Sequence, residues 1–414
     1  MTTTLRLLAR PFDGFERALD RQIASFASAT DAAVEVERDH RPLPEIHEAF
    51  VEGERLAAGE YDLFLCLSDW LPAVAERGLV EPLDGRLDAT PPPDWPEGWA
   101  ESMRDLVTYE GTTYGVPYHD GPEVFFYRED LFENAAEQRA FREAYGRPLS
   151  VPRTWSEFLE VAEFFTRPEE DLWGTVVAAL PDGHNDVYDF LIQLWSRGGE
   201  VFTDEMTPAF DSEAGVDALR YYRDLIHEHE VAPPASLEME SVDSGRFYAD
   251  GKAAMMWNWS GFGAMAEDPD SDVFGRVDYG LIPRADTPEG RHTSLTVLYG
   301  LTVPSSADHP DLAYDFVRHA ASPEMDRVTT EEGASGTRLS TWRDPEVRQR
   351  ESFYSMVEEI NTGAVDTLPQ LPEYTAFNEI LNEAVEAAVV DRSATPEAAL
   401  SEAAARTEAL LDGA

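Results

Sequence analysis

The stretch DGKAAMMWNWSGFG, Asp250 to Gly263, gathers groups that can do chemistry. It holds Lys252, the only lysine among 32 basic residues, and Trp257, Trp259 and Phe262 follow closely. A lysine after glycines suggests a phosphate cradle. That loop needs four residues between its glycines and a Ser or Thr after the lysine. Here five residues separate Gly245 from Gly251, and Ala253 follows Lys252. Gly261-Phe262-Gly263-Ala264-Met265-Ala266 fits a loose dinucleotide pattern, but Glu267-Asp268-Pro269-Asp270 ends any helix there too soon. Gly333-Ala334-Ser335-Gly336-Thr337 lacks the last glycine of a nucleophile elbow. His227 and His229, two apart on a helix, point in different directions. No histidine spacing matches a transition-metal site. Paired carboxylates for glycoside cleavage stay open, because 81 acidic residues make any one pair uninformative.

What remains is an aromatic and polar inventory at loop positions: Phe12, Asp13, Asp69, Trp70, Tyr118, His119, Asp120, Trp195, Trp257, Asn258, Trp259, Phe262, Tyr299, Arg338 and Trp342. Flat rings cover the C–H faces of a sugar, while carboxylates and amides bond its hydroxyls. A pocket of this kind is largely apolar with a few placed polar groups. An isolated Trp is more often core than site, and Trp155 and Trp173 are assigned to the core. Asn258-Trp259-Ser260 also reads as a glycosylation sequon, which burial would make accidental.

The elements that must position these residues are legible. Thr4–Ala9 reads as a strand, 12–28 as a helix, Ala33–Glu37 as a strand, 43–58 as a helix and Tyr61–Leu67 as a strand apolar throughout. This alternation predicts a parallel sheet with helices on both sides and ligands outside the carboxyl ends of its strands. The loops at 10–14 and 68–70 therefore matter at once. Thr154 and Glu157 predict a capping box. Gly251 ends a short helix with Lys252 beside its negative end, and Ala253–Trp257 follows as a strand.

Composition narrows the class. A chain of 414 residues with 43% hydrophobic residues supports two domains with real cores. The net charge of −49 is spread along the chain. Such a body repels itself until salt near ~1 M shortens the Debye length to about 3 Å. Near-absence of lysine fits the same reading, a protein of a salt-loving organism. Nucleic acid is excluded as a partner, since its phosphates would be repelled. Cys66, the only cysteine, lies in an apolar run and reads as a buried hydrophobe. No run of 18 apolar residues exists to span a membrane, and the N-terminus shows no signal peptide or lipobox.

Several stretches, taken together and in order, resemble the carbohydrate-binding, maltose-binding-like solute-binding proteins of ABC importers. They are YDLFLCLSDWLPAVAERGLVEPLD (61–84), TYGVPYHDGPEVFFYREDLF (113–132), VPRTWSEFLEVAEFF (151–165), FYADGKAAMMWNWSGFGAM (247–265), YGLIPRA (279–285), YGLTVPSSADHPDLAYDFVRHAASPE (299–324) and GASGTRLSTW (333–342). The resemblance implies an α/β, two-lobe periplasmic-binding-protein-like fold of type II. Each lobe is a mostly parallel sheet flanked by helices, with a ligand cleft between. It places the N-lobe at 1–117 and 261–320, the C-lobe at 118–260 and 321–414, and crossings near 115–121, 257–261 and 320–324. It implies a non-enzymatic monomeric receptor without cofactor or metal, delivering a carbohydrate to permease subunits at the outer face of the cytoplasmic membrane. Without a visible signal, a cytoplasmic location stays open. The alternatives are a glycan-active enzyme, or the same fold binding a polyol, a glycerophosphodiester or a polyamine.

Overall fold

The computed structural model describes residues 2–30 and 33–413. The strands of its two larger sheets are β1 (Thr3–Ala9), β2 (Val34–His40), β3 (Leu63–Leu67), β4 (Gly115–His119), β5 (Glu123–Arg128), β6 (Trp173–Thr175), β7 (Ala253–Trp259), β8 (Val277–Gly280) and β9 (Tyr299–Thr302). The helices used below are α1 (Asp13–Ala29), α2 (Leu71–Glu76), α3 (Trp155–Phe165), α4 (Asn185–Ser196), α5 (Glu213–His227), α6 (Ser241–Ala249), α7 (Pro310–Ala320) and α8 (Pro323–Glu331).

The chain forms two compact units. The first comprises the chain up to Gly121 with Thr296–Arg350 and Thr367–Tyr374; the second comprises Pro122–Leu295, Glu351–Asp366 and the chain from Thr375 onward. The passage after Gly121 adjoins the expected crossing at 115–121. The other two expectations are corrected: residues 261–295 belong to the second unit and 321–350 to the first. Pairing explains both shifts. β8 lies antiparallel on β5 of the second unit, Val277 opposite Arg128. α8 is tied to α1 of the first unit by buried Gln22, whose amide donates to the Met325 carbonyl (3.0 Å) and to the Thr329 hydroxyl (2.9 Å).

The first sheet has the order β2-β1-β3-β9-β4. β1 is parallel to β2 and β3, whereas β9 is antiparallel to β3 and β4. The second sheet has the order β8-β5-β7-β6, with β5 antiparallel to β8 and β7, and β6 parallel to β7. Each sheet therefore contains one reversed strand, β9 or β5. The start of a reversed strand lies at the edge where the others end, which is where ligands meet such sheets.

The predicted helix at 43–58 is broken. An α turn at Leu43–Ile46 widens into a π turn at His47–Glu52, and a 3₁₀ turn follows at Leu56–Ala58. The chain turns extended at Gly53, where a Cβ would lie 2.6 Å from the Ala49 carbonyl oxygen. The Thr154 hydroxyl caps α3 by accepting from the Glu157 amide (3.4 Å), but the Glu157 carboxylate accepts from the Arg153 amide rather than from the cap residue. Gly251, at φ 75°, ends α6 as expected, and Lys252 sits 3.4 Å from Asp250. Cys66 is buried, and burial pushes its thiol pKa up.

Candidate functional site

In the first unit the carboxyl ends of β1, β3 and β4 share an edge with the start of β9, where Tyr299 faces Leu67 and His119. The chain leaves β1 through Arg10-Pro11-Phe12 and enters α1 at the exposed Asp13. Phe12 is 37% exposed, a large apolar ring left in water. Its ring joins a cluster: Phe12–Phe15 at 5.0 Å between centroids, Phe15–His119 at 4.9 Å, Phe15–Tyr299 at 5.3 Å and His119–Tyr299 at 5.8 Å. Arg10 closes the cluster. Its Nη1 donates to the Tyr299 hydroxyl at 3.1 Å, and its guanidinium lies 5.9 Å from the Phe12 centroid. The charge of nearly buried Asp69 acts on Tyr299 from the loop after β3.

His119 Nδ1 lies 3.0 Å from the Ser335 carbonyl oxygen. A carbonyl only accepts, so the proton sits on Nδ1 and Nε2 is left as an acceptor. Burial pushes the imidazole pKa down to about 4, so the ring is neutral. The segment that holds it approaches α1 closely. A Cβ at Gly14 would lie 3.0 Å from the Ala334 nitrogen, so a larger residue would push the first turn of α1 away.

Other expected site residues of this unit prove to be internal. Tyr118 is buried and donates to Gln22 Oε1 at 3.0 Å. Asp120 is buried; it accepts from the Thr296 hydroxyl, and its amide donates to Ser335. Trp70 is buried, 5.7 Å from the His47 ring. Arg338 and Trp342 are buried as well. Arg338 is 1% exposed, donates to the Ala321 carbonyl (2.8 Å) and to Asp94 (2.9 Å), and lies 4.2 Å above the Trp99 ring. Trp342 is 0% exposed and donates to the Gly336 carbonyl at 2.8 Å. Their segment is fastened to buried Asp326, which accepts from the amides of Thr337 (2.8 Å) and Arg338 (3.2 Å). This fastening shapes the loop that presents Ser335 to His119.

In the second unit the site is a helix laid along a strand. Trp257 Nε1 donates to Asp189 Oδ1 at 2.6 Å, and Trp259 Nε1 donates to Asn185 Oδ1 at 3.4 Å. Trp257 is buried against Trp155 (5.3 Å) and Phe158 (5.7 Å), whereas Trp259 is half-buried with Tyr188 edge-on at 5.9 Å. Register places Glu123 opposite Trp259 and Phe125 opposite Trp257, so all four side chains share the sheet face that α4 covers. Every residue of α4 is buried, Asn185, Asp186, Asp189 and Trp195 included.

Asn258 points to the other face. Its Nδ2 donates to the Ser241 carbonyl and the Ser244 hydroxyl, both at 3.0 Å, which ties β7 to α6 and closes the sequon. Phe262 is half-buried on α6, where a Cβ at Gly245 would lie 3.1 Å from its ring.

Glu123, Asn185, Asp186, Tyr188 and Asp189 were not among the residues expected from the sequence, and Arg10 was expected only as part of its loop. The signal for the helix residues was there: Asn185-Asp186-Val187-Tyr188-Asp189 opens an otherwise apolar helix, and polar groups on a buried helix need partners. Among the described residues, no group of three or more His, Cys, Asp or Glu side chains is placed to hold a metal ion.

Residues 47–327, more than half of the chain, match the family described as bacterial extracellular solute-binding protein. The chain belongs to this family. As a solute-binding protein it is a binder and not an enzyme. Its relatives are distant. It is 23% identical over 324 residues to the arabinooligosaccharide-binding protein of Halalkalibacterium halodurans, covering 75% of this chain and 68% of that one. It is 24% identical to the mannitol-binding protein of Pseudomonas aeruginosa (69% and 63%) and 27% identical to the lactose-binding protein of Rhizobium radiobacter (70% and 65%). The match thus spans slightly less than two thirds of the latter two relatives. Among solved structures, the maltose-bound MalE3 of T. maritima superposes with a TM-score of 0.84 at 23% identity, over 99% of this chain and 100% of that one. The GacH receptor of Streptomyces glaucescens gives 0.80 at 22% identity, over 100% and 99%. The solute-binding protein therefore has the type II periplasmic-binding-protein fold expected from its sequence.

Proposed function

We propose that this solute-binding protein is the receptor of an ABC importer for a carbohydrate. The observation that carries the reading is Trp259: a half-buried indole, edge-on to Tyr188 and hydrogen-bonded to the side-chain amide of Asn185. Such a surface stacks on the C–H face of a sugar ring and offers amide groups to its hydroxyls. The first unit offers a second surface of the same chemistry in Phe12, His119, Tyr299 and Arg10, with Asp69 beside it. The arabinooligosaccharide-binding and lactose-binding relatives support the same class of ligand.

A polyol is the second reading, favoured by the mannitol-binding relative and by a structural neighbour bound to ribitol. It has the same hydroxyl chemistry without a ring face to stack. Calorimetry of the chain against mono- and oligosaccharides and against mannitol and ribitol tests both. One site per chain for a ring sugar is the expected result; binding of open-chain polyols alone would replace it with the second reading.

In this reading the receptor is a monomer with a salt-adapted surface that presents its ligand to permease subunits at the outer face of the cytoplasmic membrane. The even spread of a net charge of −49 supports the salt adaptation.

A further inference from the structure

The unmatched carboxyl groups of the second unit point to a ligand that brings a positive charge. We propose that Glu123 and Asp186 receive a protonated amine of the ligand, beside the ring stacked on Trp259, so that the preferred carbohydrate is an amino sugar. This rests on the carbohydrate reading of the same site and narrows it.

Glu123 is 0% exposed and neither of its carboxyl oxygens has a hydrogen-bond partner; Asp186 is equally buried and meets only the backbone amides of Val187 and Gly183. They come from different elements, β5 and α4, and both adjoin the Trp259–Asn185 pair: Glu123 across the strand, Asp186 next along the helix. The hydroxyl of Ser260 is likewise buried and unpartnered, and its amide donates to the carbonyl of Pro122, next to Glu123. Asp189, the third carboxyl of the group, already accepts from Trp257.

Carboxylates supply most of the charge that acts on this group, and His184 opposes them at Asp186. The charge acting on Glu123 is Asp189, and the charge acting on Asp189 is Asp186. Asp186 feels Asp182 and His184, and Tyr222 of α5 faces all three. Burial and mutual repulsion raise all three pKa values, Asp186 to about 7. A buried carboxyl without a partner is costly, and an ammonium group delivered by the ligand would remove that cost by charge-assisted hydrogen bonds. The three carboxyls are not placed to hold a metal ion together, which leaves an organic cation carried by a larger ligand.

The test is calorimetry of the full chain against matched pairs that differ at one nitrogen: glucose and glucosamine, galactose and galactosamine. Spermidine is the sugar-free cation. The expected result is that the amine of a pair binds roughly tenfold or more tighter, and that this ratio falls to near one in Glu123→Gln and in Asp186→Asn. The ratio is read within each variant, so a general loss of affinity does not mimic it, and the wild-type comparison needs no variant to fold. Neutral sugars binding as well as their amines would overturn the inference and leave the carbohydrate receptor intact. Spermidine binding alone, lost in Glu123→Gln, would support the cation and overturn the carbohydrate reading. Silence across all ligands would overturn both.

Discussion

Trp257 donates its indole hydrogen to Asp189, and two residues along the strand Trp259 does the same to Asn185, four residues back along the helix. The coincidence is geometric. Four helical residues rise about 6 Å, and two strand residues advance about 6.6 Å. A helix laid along a strand can therefore meet successive same-face side chains with successive polar groups. The two pairs differ in acceptor, a carboxylate at 2.6 Å against an amide at 3.4 Å, and in depth, and depth decides their roles.

Trp257 is 4% exposed and packs against two aromatic neighbours, Trp155 and Phe158. Trp257→Ala should cost about 3–5 kcal/mol of stability in denaturant unfolding, partly by leaving buried Asp189 without its donor. Trp259→Ala should cost less than about 1.5 kcal/mol while weakening sugar binding at least about tenfold in calorimetry. Equal effects on stability would make both residues core.

Arg338 is held by the Ala321 carbonyl, by Asp94 and by the face of Trp99. Arg338→Ala should destabilise the first unit by about 3–5 kcal/mol and leave ligand affinity in the folded protein within about twofold of wild type. A selective loss of affinity would return Arg338 to the binding surface.

His119 has a pKa near 4 in the fold and about 6.5 when unfolded. Between these values the unfolded state binds the extra proton, so stability rises with pH through this window and is fully present above about 6.5. His119→Gln, which does not titrate there, should show a flatter acid limb. Unfolding free energies at about pH 4.5 and 7.5 for both proteins would reveal the difference; identical slopes would place the acid loss elsewhere.

Asp186 works in the opposite sense. Its pKa rises from 3.8 to about 7 on folding, so the native state holds the proton longer. Stability is greatest below about pH 4, falls as pH rises to about 7 and is flat above. Asp186→Asn should remove that decline and stabilise the protein at about pH 8, on the order of 4 kcal/mol from the shift. A variant less stable than wild type at that pH would show Asp186 ionised and paired.

The melting temperature should climb with KCl and level off beyond ~1 M, where the Debye length is about 3 Å. A flat profile would separate the acidic composition from salt adaptation.

The sequence by itself determined the alternation of strands and helices, the absence of phosphate-loop and nucleophile-elbow signatures, and the ordered stretches that resemble solute-binding proteins. These are properties of local periodicity and spacing, which any short window carries. It also placed Phe12 and Trp259 just beyond strand ends, where the first is exposed and the second half-buried. Only the tertiary structure decided which aromatic residues are core. Trp257, Trp259 and Trp342 carry the same side chain, but their roles depend on what packs over them from remote elements. The unit boundaries were decided in the same way, by β8 pairing with β5 and by Gln22 bonding to α8. Glu123 and Asp186 lie more than sixty residues apart and are two of 81 acids. Nothing local distinguishes them until register sets Glu123 opposite Trp259 and the start of a buried helix sets Asp186 next to Asn185, the partner of Trp259.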